Sequence, residues 1–272
     1  MLNVKAIKDS SYNDIVANVD DYIKMFLDNG LVCFKKIYLS ALEQEHVINL
    51  FAEKLKWKFV SDIHTEDHHY TMSLNDKIFD KDEIIIDWHI EHLERKYAQV
   101  ATSWNMTKFT CPKGHGNTGF IDSSYVYSLM PDDWQEFLKS IVVTYRTMDF
   151  PHRRCVIKHR NSGKDILRLC PHFAEDLLIS VNGNDPSNQE FLLFDQVKQW
   201  YCDQIKNNES IKMWWEWDEG DFIIPDLLYI IHAVKGGFTS GNRQFTRNWA
   251  YRNKADFELY TKPIISKGTN FG

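Results

Sequence analysis

Ile15, Val19, Tyr22, Ile23, Phe26 and Leu27 recur at three- and four-residue spacing up to Gly30, which predicts an amphipathic helix closed by a glycine C-cap. Leu31-Val32-Cys33-Phe34 then forms an unbroken apolar run of strand length. Ser40-Ala41-Leu42-Glu43 is a capping box, and it opens a second helix with Leu42, Val47, Leu50, Phe51 and Leu55 on one face. From Trp57 to about Asp87 the pattern dissolves. The stretch from Ser61 to His69 is polar and aperiodic, so residues 58–87 are expected to form a loop or lid over an active site. Strands are predicted over Trp88 to Glu91, Val100 to Thr107, Arg153 to Lys158, Ile166 to Leu169, Lys212 to Trp217, Phe222 to Ile224, Leu228 to Ala233 and Arg247 to Arg252. Two helices interrupt them, one from Pro131 to Ile141 and one opened by the box Ser187-Asn188-Gln189-Glu190 and running to about Ile205. Many short strands with few helices predict a mainly β sandwich or barrel with flanking helices.

Composition narrows the class. The 272 residues are 43% hydrophobic and 26% charged, a globular mixture that excludes a disordered or fibrous chain. No Pro/Gly/Ser-rich linker divides the sequence, so residues 1–272 are expected to form a single domain. The net charge of -6, from 38 acidic against 32 basic residues, argues against a nucleic acid or an anionic membrane as partner. A small-molecule substrate is expected instead; no pattern sets an oligomeric state. Five scattered cysteines without a CxxC pair predict reduced thiols and a cytoplasmic protein. No run reaches the ~18 apolar residues of a membrane helix.

Eleven His and nine Trp turn attention to binding chemistry. His89-Ile90-Glu91 lies in one strand-like run and His232 at the end of another. Residues i and i+2 of a strand share a face about 6–7 Å apart, so such a pair can converge on one ion. Two imidazoles and one carboxylate are the facial triad that holds non-haem Fe(II) with positions left open. His-x-Glu alone is weak: His64-Thr65-Glu66 is a second instance, in a segment that reads as solvated loop.

Context separates the two. Trp88-His89-Ile90-Glu91 is followed by His115-Gly116-Asn117-Thr118. Later, Trp217-Asp218-Glu219-Gly220-Asp221-Phe222-Ile223-Ile224-Pro225-Asp226 leads to His232, and then come Arg243 and Arg247. This order resembles the taurine dioxygenase-like family of Fe(II)/2-oxoglutarate-dependent oxygenases. In that family a Trp-His-x-Asp/Glu motif, a Gly-Gly-Asp-Thr-like turn and a Gly-Asp-apolar-Asp-Asn segment precede a distal His and an Arg. Asn29 to Phe34 and Val156 to Lys164 resemble two further family segments. The turn here lacks the first glycine and the acid, Leu227 and Leu228 replace the family's Asn and Arg, and Glu91 replaces the commoner aspartate, as in clavaminate synthase-like members.

The resemblance implies a double-stranded β-helix, or jelly roll, using Fe(II), 2-oxoglutarate and O2. It implies His89, Glu91 and His232 as iron ligands, Arg243 and Thr118 on the distal carboxylate of 2-oxoglutarate, and Arg247 near cosubstrate or substrate. The expected reaction is hydroxylation or another oxidation of an unactivated C–H bond, with release of succinate and CO2. Arg168, His92 and Arg247 are the substrate-contact candidates. If an arginine faces the pocket, the substrate carries an anionic group, and Trp214-Trp215-Glu216-Trp217 forms either an amine-binding wall or core. A small zwitterion such as an amino acid satisfies both. The alternatives are a cupin-like, non-catalytic metal-binding protein and a JmjC-type protein hydroxylase.

Overall fold

A computed structural model describes residues 2, 4–57, 59–60, 64–67, 83–91, 99–145, 152–171, 177–239 and 241–251, with residues 59, 64–67 and 152 described by backbone alone. In chain order the helices are α1 (Tyr12–Ala17), α2 (Val19–Asn29), α3 (Ala41–Leu55), α4 (Ser123–Ser128), α5 (Asp132–Lys139) and α6 (Asn188–Asn207). The strands are β1 (Leu31–Phe34), β2 (Phe59–Val60), β3 (His64–Asp67), β4 (Ile84–His89), β5 (Gln99–Phe109), β6 (Thr118–Asp122), β7 (Ile141–Tyr145), β8 (His152–Arg154), β9 (Val156–Lys158), β10 (Asp165–Leu167), β11 (Leu177–Val181), β12 (Met213–Trp215), β13 (Phe222–Pro225), β14 (Ile230–Lys235) and β15 (Arg243–Tyr251).

Two antiparallel sheets carry the architecture. The larger runs β1-β13-β5-β15-β2, with β3 also paired to β15; the smaller runs β12-β6-β14-β4. Strand alternation in the smaller sheet separates two cores. Phe120 and Ile230 join the core of the larger sheet, whereas Ile121, Ile231 and Ala233 join a second core with Leu138, Phe194, Val197 and Tyr201 of α5 and α6. His232 alternates with Ile231 and Ala233, and its ring centroid lies 5.3 Å from that of Trp104, which places it on the face toward the larger sheet.

Both predicted capping boxes form: the Ser40 and Ser187 hydroxyls each accept from the backbone N–H of the glutamate three residues on, and each glutamate carboxylate accepts from the serine backbone N–H. The first predicted helix is two, broken at Asn18, which caps both α1 and α2. Gly30 ends α2 in the left-handed region at φ 79°, and a Cβ there would lie 2.6 Å from Ile230 Cδ1 and 2.7 Å from the Tyr229 hydroxyl. The helix therefore runs hard against the turn that feeds β14. Gly119 is needed for a different reason, since an added Cβ would lie 2.5 Å from the Trp88 ring and 2.7 Å from that of Trp214.

Several expected boundaries change. The expected strand over Arg153 to Lys158 is two strands broken at Cys155, and the one over Leu228 to Ala233 begins at Ile230 because Asp226 holds a turn through Leu228 N–H. The strand expected from Arg247 starts at Arg243. Within the expected 58–87 loop, β2, β3 and the start of β4 are regular strands; His64 to Asp67 pair with Arg247 to Gln244. His68, His69 and the rest of that loop lie outside the described residues. Among the described residues no helix is long and apolar enough to cross a membrane.

Candidate active site

β4 and β14 are direct neighbours, with His89 in register opposite His232. That pairing brings the two imidazoles to a centroid separation of 4.2 Å. Glu91 is not in the strand, contrary to expectation. β4 ends at His89 and Glu91 occupies the turn that follows, where the chain leaves the sheet. The turn still returns its carboxylate to the histidines: Glu91 Oε2 lies 3.1 Å from His232 Nε2 and 3.6 Å from His89 Nε2. One ligand atom from each residue falls within 4.8 Å of the other two.

The hydrogen bonding prepares these atoms to coordinate. His89 Nδ1 lies 2.7 Å from the Asp87 carbonyl, which can only accept, so Nδ1 carries the proton and Nε2 presents a lone pair. Burial first, and then the neighbouring His89, push His232 down to about 4, outweighing the opposing influence of the Glu91 carboxylate. His232 is thus neutral at physiological pH. Its buried Nδ1 makes no well-formed hydrogen bond, and the Ile230 backbone is the weakest of the influences on the ring. Two imidazole nitrogens and one carboxylate, grouped within 4.8 Å of one another, suit a divalent first-row ion such as Fe(II).

A second cluster lies on the adjoining walls. β6 carries Thr118, paired with Val234 of β14 on one side and Trp215 of β12 on the other. Arg243, the first residue of β15, is buried and donates from Nη2 to Thr118 Oγ1 at 2.7 Å. Trp217 Nε1 donates to the same oxygen at 2.9 Å. With both acceptor positions filled, the Thr118 hydroxyl hydrogen is left to donate to a third group. The Arg243 Cζ stands 5.7, 5.9 and 5.8 Å from the rings of Trp217, Phe238 and Phe245. Burial pushes Arg243 down to about 10, which leaves it charged at neutral pH. A guanidinium walled by aromatic rings gains much from a carboxylate, because little water competes for either partner.

Arg247 shares a strand with Arg243 but not its seclusion. Its Nη1 lies 3.9 Å from Glu91 Oε1, its Cζ sits 4.4 Å over the Trp249 ring, and it is partly exposed. Across β15 its register partners are Trp104 and His64. Arg168, just past β10, is buried; its backbone N–H donates to the Cys155 carbonyl and its own carbonyl accepts from the Tyr145 hydroxyl. His92 falls outside the described residues. The tryptophan cluster is mostly interior, and its ring faces already hold cations of the chain: Lys35 lies 4.6 Å over Trp215 and Lys235 4.2 Å over Trp214.

Sequence reasoning missed Trp217 as a partner of Thr118; the one signal was the i, i+2 spacing from Trp215, the residue paired with Thr118. It also missed a buried pair behind β14. His159 Nε2 lies 3.1 Å from Asp226 Oδ2, and the Ser162 N–H donates to Nδ1, so the imidazole proton resides on Nε2 and faces the carboxylate.

The sequence profile of the taurine catabolism dioxygenase TauD, TfdA family matches residues 8–249. The chain belongs to that family, and it is an Fe(II)/2-oxoglutarate-dependent dioxygenase, which sets aside the cupin-like, non-catalytic alternative. No curated protein matches the sequence significantly. Solved structures of the same fold include a taurine dioxygenase from Burkholderia xenovorans at 13% identity and TM-score 0.64, covering 87% of this chain and 82% of that one. A putative alpha-ketoglutarate-dependent taurine dioxygenase from the same organism is 12% identical with TM-score 0.66, covering 92% and 88%. AAD-2, solved with Mn(II) and N-oxalylglycine, is 13% identical with TM-score 0.68, covering 96% and 98%. These likenesses establish the double-stranded β-helix.

Proposed function

We propose that His89, Glu91 and His232 hold Fe(II), that Arg243 and Thr118 grip the far carboxylate of 2-oxoglutarate, and that Arg247 receives the anionic group of a small zwitterionic substrate, most simply an amino acid. The observation that carries this reading is the pairing of two clusters: three donor atoms within 4.8 Å of one another, and a buried Arg243–Thr118 pair on the walls beside them. N-oxalylglycine, the ligand of AAD-2, is 2-oxoglutarate with a methylene replaced by N–H, and it ends in the same carboxylate.

When bound, Fe(II) supplies the oxidative chemistry by which 2-oxoglutarate is split to succinate and CO2 as a substrate C–H bond is oxidised with O2. The chain supplies position. Asp87 holds the His89 ring in one tautomer. Arg243 offers two parallel N–H groups to a carboxylate, and Thr118, held as an acceptor by Arg243 and Trp217, turns its own hydrogen to the same group. Trp104, Phe120 and Phe245 line the interior beside His232 and Arg243 and exclude water from the reacting centre. Arg247, partly exposed beside Glu91, would hold the anionic group of a substrate next to the residues that would hold the metal. Arg168 and His92 remain secondary substrate-contact candidates.

The test is anaerobic titration of Fe(II)-loaded protein with 2-oxoglutarate, followed by a screen for succinate release over amino acids, sulfonates, phosphonates and betaines. A visible charge-transfer band and stimulation by an anionic amine are expected. Stimulation by neutral compounds alone would remove the role given to Arg247. A JmjC-type protein hydroxylase holds 2-oxoglutarate through a lysine of an earlier strand, so Arg243→Ala that still binds 2-oxoglutarate would favour that alternative.

A further inference from the structure

We propose that Trp217 is the partition that sets the length of 2-oxo acid the enzyme accepts. A cavity of about 640 Å3 lies beside the smaller sheet, walled by Trp214, Trp215, Phe109, Cys111 and Asn117. Neither Thr118 nor Arg243 lines it, but Trp217 does. Trp217 is also the side chain that donates to Thr118 Oγ1 at 2.9 Å and stands 5.7 Å from the Arg243 Cζ. One buried indole therefore has the cavity on one side and the carboxylate anchor on the other.

This inference rests on the reading of Arg243 and Thr118 as the anchor of the distal carboxylate. A 2-oxo acid is then held at two points, by its keto acid end at the metal position and by its far carboxylate at Arg243. The distance between them suits one chain length, and a longer acid must push its far end outward. Toward Phe238 and Phe245 the way is blocked by the side chains packed around Arg243. Toward the cavity it meets the Trp217 indole, which lines that space and donates to Thr118, and behind which room for an added methylene already exists. The indole has a second effect: by occupying one acceptor position of Thr118, it forces the hydroxyl hydrogen toward the carboxylate.

The two effects separate by substitution. Calorimetric titration of the Mn(II)-loaded protein with 2-oxoglutarate and with 2-oxoadipate, one methylene longer, gives the discrimination without turnover. The wild type is expected to favour 2-oxoglutarate by roughly tenfold or more, the usual worth of one misplaced methylene in a close-fitting site. Trp217→Ala, which joins the anchor to the cavity, is expected to reduce that preference at least tenfold or to invert it. Trp217→Leu opens the same path with less loss of packing and serves if the alanine variant does not fold. Trp217→Phe keeps a ring in the partition but removes the indole N–H, so it should weaken both acids several-fold with the preference intact. A folded Trp217→Ala or Trp217→Leu protein with the wild-type preference overturns the proposal, as does a Trp217→Phe protein that loses it. Arg243→Gln tests the underlying anchor separately: it should weaken binding of both acids by roughly 10²-fold, and if it binds 2-oxoglutarate as the wild type does, the anchor reading fails whatever Trp217 does.

Discussion

The two ends of one functional stretch of β15 are built to opposite specifications. Arg243 is enclosed by Trp217, Phe238 and Phe245 and bonded to a threonine whose other acceptor position is also taken. Arg247, four residues on, is partly exposed, has one aromatic neighbour at 4.4 Å, and faces the Glu91 carboxylate at 3.9 Å. Next to it runs β3, a strand of polar residues added at the sheet edge. A fully specified pocket suits a ligand that never changes, which is what a cosubstrate is. A looser, partly exposed one at the side of β3 suits the role proposed for Arg247, contact with the substrate.

That contrast can be broken or sharpened in four ways. The largest effect is expected from Glu91→Ala, which removes the carboxylate of the proposed iron site: substrate-stimulated succinate release should fall about 10³-fold or more, with iron content falling alongside it. Retained iron with retained turnover would dissolve the site altogether. Arg243→Gln should weaken 2-oxoglutarate binding by roughly 10²-fold, the worth of two charge-assisted hydrogen bonds at about 1.5 kcal/mol each. Arg247→Ala should leave 2-oxoglutarate binding within about threefold while lowering substrate-stimulated turnover by roughly tenfold, the scale of one partly solvated charged contact. Equal losses of 2-oxoglutarate affinity in the two arginine variants would show that the ends are not distinct. The smallest effect on the site belongs to Gly119→Ala, which drives a methyl into Trp88 and Trp214 and should cost about 1–3 kcal/mol in denaturant unfolding. Its 2-oxoglutarate affinity should change little, because the clash lies on the sheet face opposite Thr118.

Much of this was readable from the residues because it depends on strong local signals. The capping boxes at Ser40 and Ser187 rest on three-residue spacing, and both form. The grouping of His89, Glu91 and His232 rests on motif order, although the strand geometry first invoked for Glu91 does not hold: a turn, not a pleat, returns its carboxylate. What was illegible depends on pairing. β3 reads His-Thr-Glu-Asp and has no apolar alternation, so only the open edge of β15 makes it a strand. β6 begins Thr-Gly, with little β propensity of its own, and is fixed by β12 and β14 on either side. The bond from Trp217 to Thr118 joins residues 99 positions apart, a distance that no window of sequence spans.

One consequence of the register between β4 and β14 concerns endurance more than chemistry. Glu91 and His232 are separated by 141 positions in the chain, yet an ion held between them would tie the two together as a single clasp. Unlike a disulfide, such a clasp is absent from the unfolded chain, so it acts by mass action: binding confined to the folded state adds to stability in proportion to the logarithm of metal concentration. Chelation should then do more than silence the enzyme. It should lower the melting temperature and expose the chain to proteolysis, so that cellular iron supply governs how much of this protein persists as well as how fast it works.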